Sequence, residues 1–276
     1  MIAADAESAE RRGLALDGRT VALALPVVIT VAIALTAWYG IVWAFHFKEY
    51  ILPAPHEALQ ALVDKRTLLA RHSFYTLLEA FGGFVVAILF GVPCAIAIVW
   101  SQALERAIMP VLVFSQTFPK AAIAPLLVIW FGFGLSPKVL VAFLIAYFPI
   151  VMSMVVGMRA VETDLVELIR SFKASPLQVF TKIRIPYSLP FVFSGLKTAA
   201  AFALTGAVVG EWVGADRGLG FLLTIANADL NTRLTFAILL LLMIYGFVWF
   251  SLLALIERLL IPWHVSVRAP ETSSTL

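Results

Sequence analysis

Charged residues are scarce in this chain, and their scarcity argues against a water-soluble fold. Only 13% of its 276 residues are Asp, Glu, Lys or Arg, whereas 62% are hydrophobic. A soluble domain has about 25% charged residues and about half apolar ones. A soluble fold of this composition would leave much apolar surface in water. The sequence therefore predicts a protein that lies mostly in lipid.

The sequence also lacks the motifs of disulfide, metal-binding, nucleotide-binding and catalytic sites. Cys94 is the only cysteine, which excludes an internal disulfide. The four histidines show no paired ligand spacing, so we expect no metal site. The chain has no Walker A sequence (GxxxxGK[ST]), so ATP binding by this chain is not expected. No serine–histidine or paired-acid constellation lies in the apolar segments, and we predict neither a cofactor nor an enzyme activity in this chain.

Long apolar segments are present instead, and six of them can cross a bilayer core, which needs about 20 helical residues. Pro119 and Pro125 interrupt the third, so we expect it to be bent or broken. The predicted fold class is an all-α polytopic membrane protein, with a transmembrane domain at 21–263 between tails at 1–20 and 264–276. The six spans are Val21–Phe45, Ala80–Trp100, Ile108–Phe133, Val139–Met158, Phe191–Val213 and Leu234–Ile261.

Lysine and arginine are more frequent in the loops on the side of the N-terminus than in those on the other side. This bias predicts that the N- and C-termini are both cytoplasmic. The same arginines account for the net charge of +3, so we expect no nucleic-acid partner.

The cytoplasmic loop between spans four and five, residues 159–189, predicts two short helices. Thr163 and Asp164 favour the start of the first. Ser175, Pro176 and Gln178 have the spacing of a capping box that starts the second.

Both helices have an apolar face. Leu165, Leu168, Ile169 and Phe172 follow helical spacing on the first, and Leu177, Phe180 and Ile183 do so on the second. Pro186 is expected to end the second helix. These faces could pack against the protein itself or dock a cytoplasmic partner, and periodicity leaves both interpretations open.

The loop resembles the EAA loop of bacterial ABC importer permeases, whose pattern is Glu-Ala-Ala, three residues, Gly, nine residues, Ile-x-Leu-Pro. Glu167, Ile183 and Pro186 hold the matching positions, and Ile185 stands for the leucine. The resemblance implies that the two helices are coupling helices, which dock into a cleft of an ATPase subunit.

The loop departs from that pattern at three positions. Leu168 and Ile169 replace the two alanines, and Lys173 replaces the glycine. A left-handed corner costs a lysine roughly 1 kcal/mol that a glycine avoids. We therefore expect either a right-handed corner at Lys173 or a fold that tolerates the strain.

Three further stretches, LPAPHEAL, FPKAAIAPLLVIWFGFG and GEWVGADRGLGFLL, resemble the nitrate/sulfonate/taurine and thiamine-precursor permease group. Together the resemblance covers roughly residues 50–263. It implies a type I ABC importer permease of the bacterial cytoplasmic (inner) membrane. The implied partners are a second permease copy in a homodimer, two ATPase subunits that carry ATP and Mg, an extracytoplasmic substrate-binding protein and the lipid bilayer.

The resemblance also implies a class of substrate and a set of residues that contact the ATPase. The substrate is expected to be a small polar solute, namely a sulfonate such as taurine, nitrate, or a thiamine-precursor pyrimidine. The residues expected to contact the ATPase are Leu165, Glu167, Leu168, Ile169, Phe172, Lys173, Ser175, Pro176, Phe180, Ile183 and Pro186.

Polar groups within the spans are candidates for a translocation path. Lys120 falls near the middle of the third span, where a charge costs at least about 2.5–3.5 kcal/mol. It could attract a polar substrate, or it could pair with a carbonyl freed by a proline or with an acid. Glu79 and Glu211 are the candidate acids, although both lie near span ends and are expected to reach the interface. The candidate path residues are Gln116, Lys120, Thr198, Thr205, Glu211 and Trp212.

Small residues recur at about one-turn steps in the second and fifth spans. They favour tight helix packing within the subunit, with contact to a second copy as the alternative for the fifth span. The glycines of GADRGLG predict a tight turn that re-enters the bilayer on the outer side. The two stripes are Gly83, Ala87, Gly91 and Ala95, and Gly195, Ala199, Ala203, Gly206 and Gly210.

A self-sufficient secondary carrier or channel is the alternative function. A proton-coupled carrier needs acids or histidines grouped within its spans. The span centres here contain Lys120 and no such group, so the sequence favours the permease interpretation.

Overall fold

Residues 25–26 and 28–262 are described by a computed structural model, in which they form helices joined by turns, with no strand among them. The predicted tails at 1–20 and 264–276 and the start of the first span lie outside these residues. In chain order the helices are α1 Val28–Phe45, α2 Pro55–Asp64, α3 Arg66–Trp100, α4 Gln102–Thr117, α5 Lys120–Phe131, α6 Leu135–Arg159, α7 Thr163–Ser171, α8 Pro176–Val179, α9 Ile185–Glu211, α10 Leu219–Ala228 and α11 Thr232–Leu260.

The predicted all-α membrane fold is confirmed. Five helices of the described residues are long and apolar enough to cross a membrane, and α4 with α5 forms a sixth span if the pair is counted as one. The second span begins at Arg66, earlier than the predicted Ala80. Helix α3 therefore runs back into the segment that the sequence assigned to an outer loop.

The third span is broken, as predicted. Helices α4 and α5 meet at 96°, and the break falls at Phe118 and Pro119, which have extended backbone. Pro119 has no backbone N–H to continue the helical ladder, which explains the break. Pro125 lies inside α5 without ending it.

Helix α2, which follows the first span, is amphipathic. Ala58 is fully buried and Leu62 packs into a core cluster, whereas Leu59 and Val63 on the same helix are exposed. Helix α2 thus rests on α11 and still presents apolar side chains outward.

Helix α6 forms the centre of the bundle, between α3 and α9. Small residues on both neighbours permit this: a methyl group built on Gly206 would lie 2.6 Å from Ala142 Cα, and one on Gly83 would overlap the same residue. Gly195 and Gly210 approach Ser153 and Lys138 of α6 in the same way. The prediction that these stripes pack within the subunit is confirmed.

Two opposite ends of the bundle hold the polar features. One, the α7–α8 end, contains residues 160–184. The other, the α10 end, contains residues 212–231 and the start of α6. Helix α9 connects them, since it begins after the first and finishes at the second.

Candidate functional site

The α7–α8 end has the two short helices that the sequence predicts. Helix α7 begins at Thr163. Ser175 and Gln178 form a reciprocal capping box at the start of α8: Ser175 N–H donates to Gln178 Oε1 at 2.8 Å, and Gln178 N–H donates to Ser175 Oγ at 3.3 Å. Pro176 occupies the first turn, where its missing N–H is not needed.

The corner between these helices is left-handed at Lys173, whose φ is +59°. The surrounding hydrogen bonds are those of a Schellman motif: Lys173 N–H donates to Arg170 O at 2.9 Å and Ala174 N–H donates to Ile169 O at 3.4 Å. Lysine therefore occupies the position that glycine usually takes. Of the two outcomes that the sequence left open, the corner is therefore not right-handed, and the fold tolerates the strain at Lys173.

The first helix has two apolar surfaces with different environments. Val166 is only 8% exposed and packs with Val179, Ile169 and Ile183 in a small cluster that closes the hairpin. Leu168 and Phe172 are 55% and 77% exposed and point away from it. The apolar residues of α7 are thus divided between a face that packs within the hairpin and a face that is exposed.

The exposed apolar face, which we call the docking face, comprises Leu165, Leu168, Phe172 and Leu177. It is not part of any buried cluster of the described chain. An apolar face on a short, well-capped hairpin is suited to insertion into a groove of another protein.

The rest of the predicted docking set is distributed over three environments. Phe180 is buried and packs edge-on against Trp100, with ring centroids 5.3 Å apart. Pro186 is half-buried at the start of α9. Glu167, Lys173, Ser175 and Pro176 are exposed, like the docking face.

The prediction that Pro186 ends the second helix is wrong. A π-helical turn at Phe180–Arg184 follows α8, and the helix continues through Pro186 into α9. Ile185 N–H donates to Phe180 O, five residues back. The wider π turn changes the hydrogen-bond register just before the proline, whose nitrogen has no hydrogen to donate.

Two predicted path residues meet at the break of the third span. Lys120 Nζ donates to Gln116 Oε1 at 2.6 Å and lies 5.8 Å from the centre of the Tyr147 ring. An amide oxygen and an aromatic face thus stabilise the ammonium, rather than a carboxylate or a backbone carbonyl.

Thr198 and Thr205 lie on an exposed side of α9, and their hydroxyls donate to the carbonyls of Ser194 and Ala201. Trp212 is exposed just beyond the end of the helix. These residues remain candidates for the path.

Glu211 does not reach the interface, because it is 1% exposed. Its Oε1 accepts the hydroxyl of Thr76 at 2.6 Å, and its Oε2 accepts the N–H of Gly220 at 2.5 Å. Leu219 N–H in turn donates to Thr76 Oγ1 at 2.7 Å. These contacts cap the N-terminus of α10, so GADRGLG forms the predicted turn and is fixed by a carboxylate.

Glu79 is also buried, contrary to the prediction. Lys138 Nζ donates to its Oε1 at 2.9 Å, and both side chains are at most 6% exposed. Sequence reasoning assigned Lys138 to an outer loop and missed Thr76 and His72. The sequence did contain a signal for this buried polar cluster, because His72, Thr76 and Glu79 recur at helical spacing on one helix.

A cleft of about 750 Å³ opens beside this cluster at the α10 end. Glu79 and Lys138 form part of its wall. Arg217 lies at its rim, donates to the hydroxyl of Tyr75 at 3.0 Å and pairs with Asp216. The cleft connects the buried cluster with the exterior.

The family described as binding-protein-dependent transport system inner membrane component matches residues 87–262. The riboflavin transport system permease RibX of Chloroflexus aurantiacus is 38% identical over 89% of this chain and 91% of its own length. The formylaminopyrimidine transport permease ThiX of Halalkalibacterium halodurans is 33% identical over 79% and 87%.

A taurine transport system permease, TauC of Escherichia coli, is 29% identical over 87% of this chain and 90% of its own. Among solved structures, an inward-facing methionine ABC transporter, MetNI, has a chain that superposes with a TM-score of 0.63 at 20% identity, covering 71% of this chain and 97% of that one. That likeness shows a shared fold.

Proposed function

Because the chain belongs to the binding-protein-dependent transport system inner membrane component family, and is therefore an ABC importer permease subunit, we propose that its α7–α8 end docks a separate ATPase. The resemblance to the taurine, sulfonate and thiamine-precursor permeases is confirmed by the named relatives. In this proposal the α7–α8 end is cytoplasmic and the α10 end faces the binding protein.

One observation carries the docking proposal: the two apolar faces of α7 are separated. Val166 closes the hairpin from inside, whereas Leu168 and Phe172 remain exposed. The hairpin is stable through its own cluster, capping box and corner, so the exposed face is not needed to hold it together. A rigid element with a free apolar face suits transmission of a displacement from the ATPase.

A cavity of about 390 Å³ adjoins this end, between α3 and the hairpin. Trp100, Phe180, Arg170 and Arg184 contribute to its lining. The two guanidinium groups place positive charge in this cavity.

The docking proposal is tested by replacing Leu168 and Phe172 together with serine. Retention of the ATPase on the purified permease is expected to fall about 10-fold or more, because truncation of central apolar anchors costs about 2 kcal/mol. The matched control is Leu59→Ser with Val63→Ser, which changes two exposed apolar residues of α2. Normal ATPase retention by the first variant would refute the docking face.

The proposed assembly is a permease homodimer with two ATPases inside and a binding protein outside, in a bacterial cytoplasmic membrane. The polar side of α9 with Thr198 and Thr205, together with Lys120, is proposed to face the path between the copies. The self-sufficient carrier or channel is not favoured by the relatives, which are transport-system permeases. In liposomes the chain alone is expected to move no substrate, and transport without the ATPase would refute this assembly.

For the substrate we propose a nitrogen heterocycle, such as a flavin or an aminopyrimidine, ahead of a sulfonate. The support is that the relatives named for riboflavin and formylaminopyrimidine are 38% and 33% identical, whereas the taurine permease is 29% identical. Ligand binding by the cognate binding protein, measured with riboflavin, an aminopyrimidine and taurine, tests this. Binding of taurine alone would overturn it.

A further inference from the structure

Three ionisable side chains from three different helices converge at the α10 end. Glu79 of α3, Lys138 of α6 and Glu211 of α9 are 2%, 5% and 1% exposed. Lys138 Nζ donates to Glu79 at 2.9 Å, and Thr76, which lies three residues before Glu79 on α3, donates to Glu211 at 2.6 Å. Two acids and one ammonium group therefore lie in one buried cluster.

The charge of this site depends on where protons reside. If both acids were ionised, the cluster would carry a net negative charge in a low-dielectric surrounding, and an uncompensated buried charge is strongly unfavourable. One proton on the pair makes the cluster neutral, with one carboxylate opposite Lys138. Like-charged carboxyl groups in contact avoid double ionisation in the same way.

Hydrogen bonding identifies the acid that holds this proton. Both oxygens of Glu211 already accept donors, from Thr76 and from Gly220. Glu79 Oε1 accepts from Lys138, while Glu79 Oε2 is buried and has no hydrogen-bond partner among the described residues. A proton on Glu79 Oε2 would give that buried oxygen a hydrogen to donate, and Glu211 would remain the ionised acid.

Other charged or titratable groups stand around the cluster. His72 Nδ1 lies 3.1 Å from both the carbonyl oxygen and the backbone nitrogen of Gly218. Asp216 and Arg217 pair with each other at the cleft rim. Arg71 precedes His72 on α3, and the hydroxyl of Tyr75 accepts from Arg217 at the rim. None of them supplies the missing donor to Glu79 Oε2.

We propose that Glu79 and Glu211 form a proton-binding site, which takes one proton from solvent through the adjoining cleft and thereby holds α3, α6 and α9 together around the capped N-terminus of α10. Release of that proton leaves two carboxylates against one ammonium, and their repulsion loosens the cap. This inference concerns the chain itself and does not depend on which ATPase or substrate it serves.

Infrared spectroscopy of the full-length chain, purified in a detergent without ester groups, tests the site directly, because the carbonyl stretch of a protonated carboxyl group is separate from carboxylate bands. At neutral pH the unaltered protein is expected to show one such band that shifts in D₂O. Glu79→Gln removes it. Glu211→Gln also removes it, since Glu79 then ionises opposite Lys138.

The control is Glu257→Gln, which removes an acid that pairs with Lys197 but has no second carboxyl beside it. This variant is expected to keep the band. Absence of the band from the unaltered protein, or its persistence in Glu79→Gln, would overturn the proposal.

Thermal unfolding across pH gives a second readout. The folded state holds one more proton than the unfolded state, so the melting temperature falls as the pH rises through the titration of the pair. Glu79→Gln, which resembles the protonated acid in shape and donor capacity, is expected to fold and to flatten this dependence. An unchanged pH profile in Glu79→Gln would contradict the site even if the infrared band were lost.

Discussion

Glu211 Oε2 accepts the backbone N–H of Gly220 at 2.5 Å, so the last residue of α9 holds the first turn of α10. A carboxylate at a helix N-terminus satisfies a donor that has no partner in the helix and interacts favourably with the helix dipole. The contact requires a close approach of two backbones, which a side chain at residue 220 would prevent.

Gly220→Ala is therefore expected to destabilise the α10 end. A methyl group there would lie 2.6 Å from Val208 O and 2.9 Å from Glu211 Oε2. Overpacking of this kind costs about 1–3 kcal/mol, measured as a lower melting temperature in detergent. Gly246→Ala is the control, because the nearest atom to its new methyl group lies at 3.9 Å. Equal stability of the two variants would contradict the close contact.

Lys173→Gly is expected to keep transport and to stabilise the corner by about 1 kcal/mol, because glycine adopts a positive φ without the steric cost that lysine meets. The same substitution at Lys182, inside the π turn, is expected to destabilise by about 1 kcal/mol. Thermal unfolding compares the two. Complete loss of transport by Lys173→Gly with a normally assembled ATPase would argue against the alignment with the EAA loop.

Phe180→Ala and Phe172→Ala are the same substitution with different expected effects on stability. Phe180 is buried against Trp100, and its truncation is expected to cost about 3–5 kcal/mol. Phe172 is exposed, and its truncation is expected to change stability by less than about 0.5 kcal/mol. Melting temperatures of the permease without its ATPase measure both. A comparable loss in the two variants would show that Phe172 packs within the chain.

Lys197 of α9 and Glu257 of α11 form an ion pair, and both side chains are less than one fifth exposed. Neutralising either residue leaves an uncompensated charge within the bundle, so Lys197→Met and Glu257→Gln are each expected to lower the melting temperature. The double variant is expected to lose less than the sum of the two single losses, which a double-mutant cycle measures. Strict additivity would show that the two charges do not interact.

The sequence predicted those parts of the fold that depend on residues close together in the chain. Apolar length located the spans, Pro119 located the break, and Ser175 with Gln178 located the second capped helix. The corner at Lys173 also followed from spacing, although its handedness needed the structure. Each of these features depends on residues within a few positions of one another.

The features that sequence reasoning missed depend on distant residues or on a competing geometry. Glu79 and Lys138 pair across 59 positions of the chain, so their burial could not be inferred from where each lies in its own span. A proline is expected to end a helix at the residue before it. The π turn before Pro186 changes the hydrogen-bond register of the helix, and the helix continues. The docking and packed faces of α7 differ through contacts of Val166 with Val179 of α8 and Ile183 of the π turn.

Helix α8, the π turn and α9 form one uninterrupted helix of 36 residues from Pro176 to Glu211. At 1.5 Å per residue it is about 54 Å long, so a tilt of about 5° moves its far end by roughly 5 Å. The capped hairpin lies at one end of this helix and the α10 cap at the other. In the proposed docking, a displacement delivered at Pro176 would be carried to Glu211 along one continuous helix.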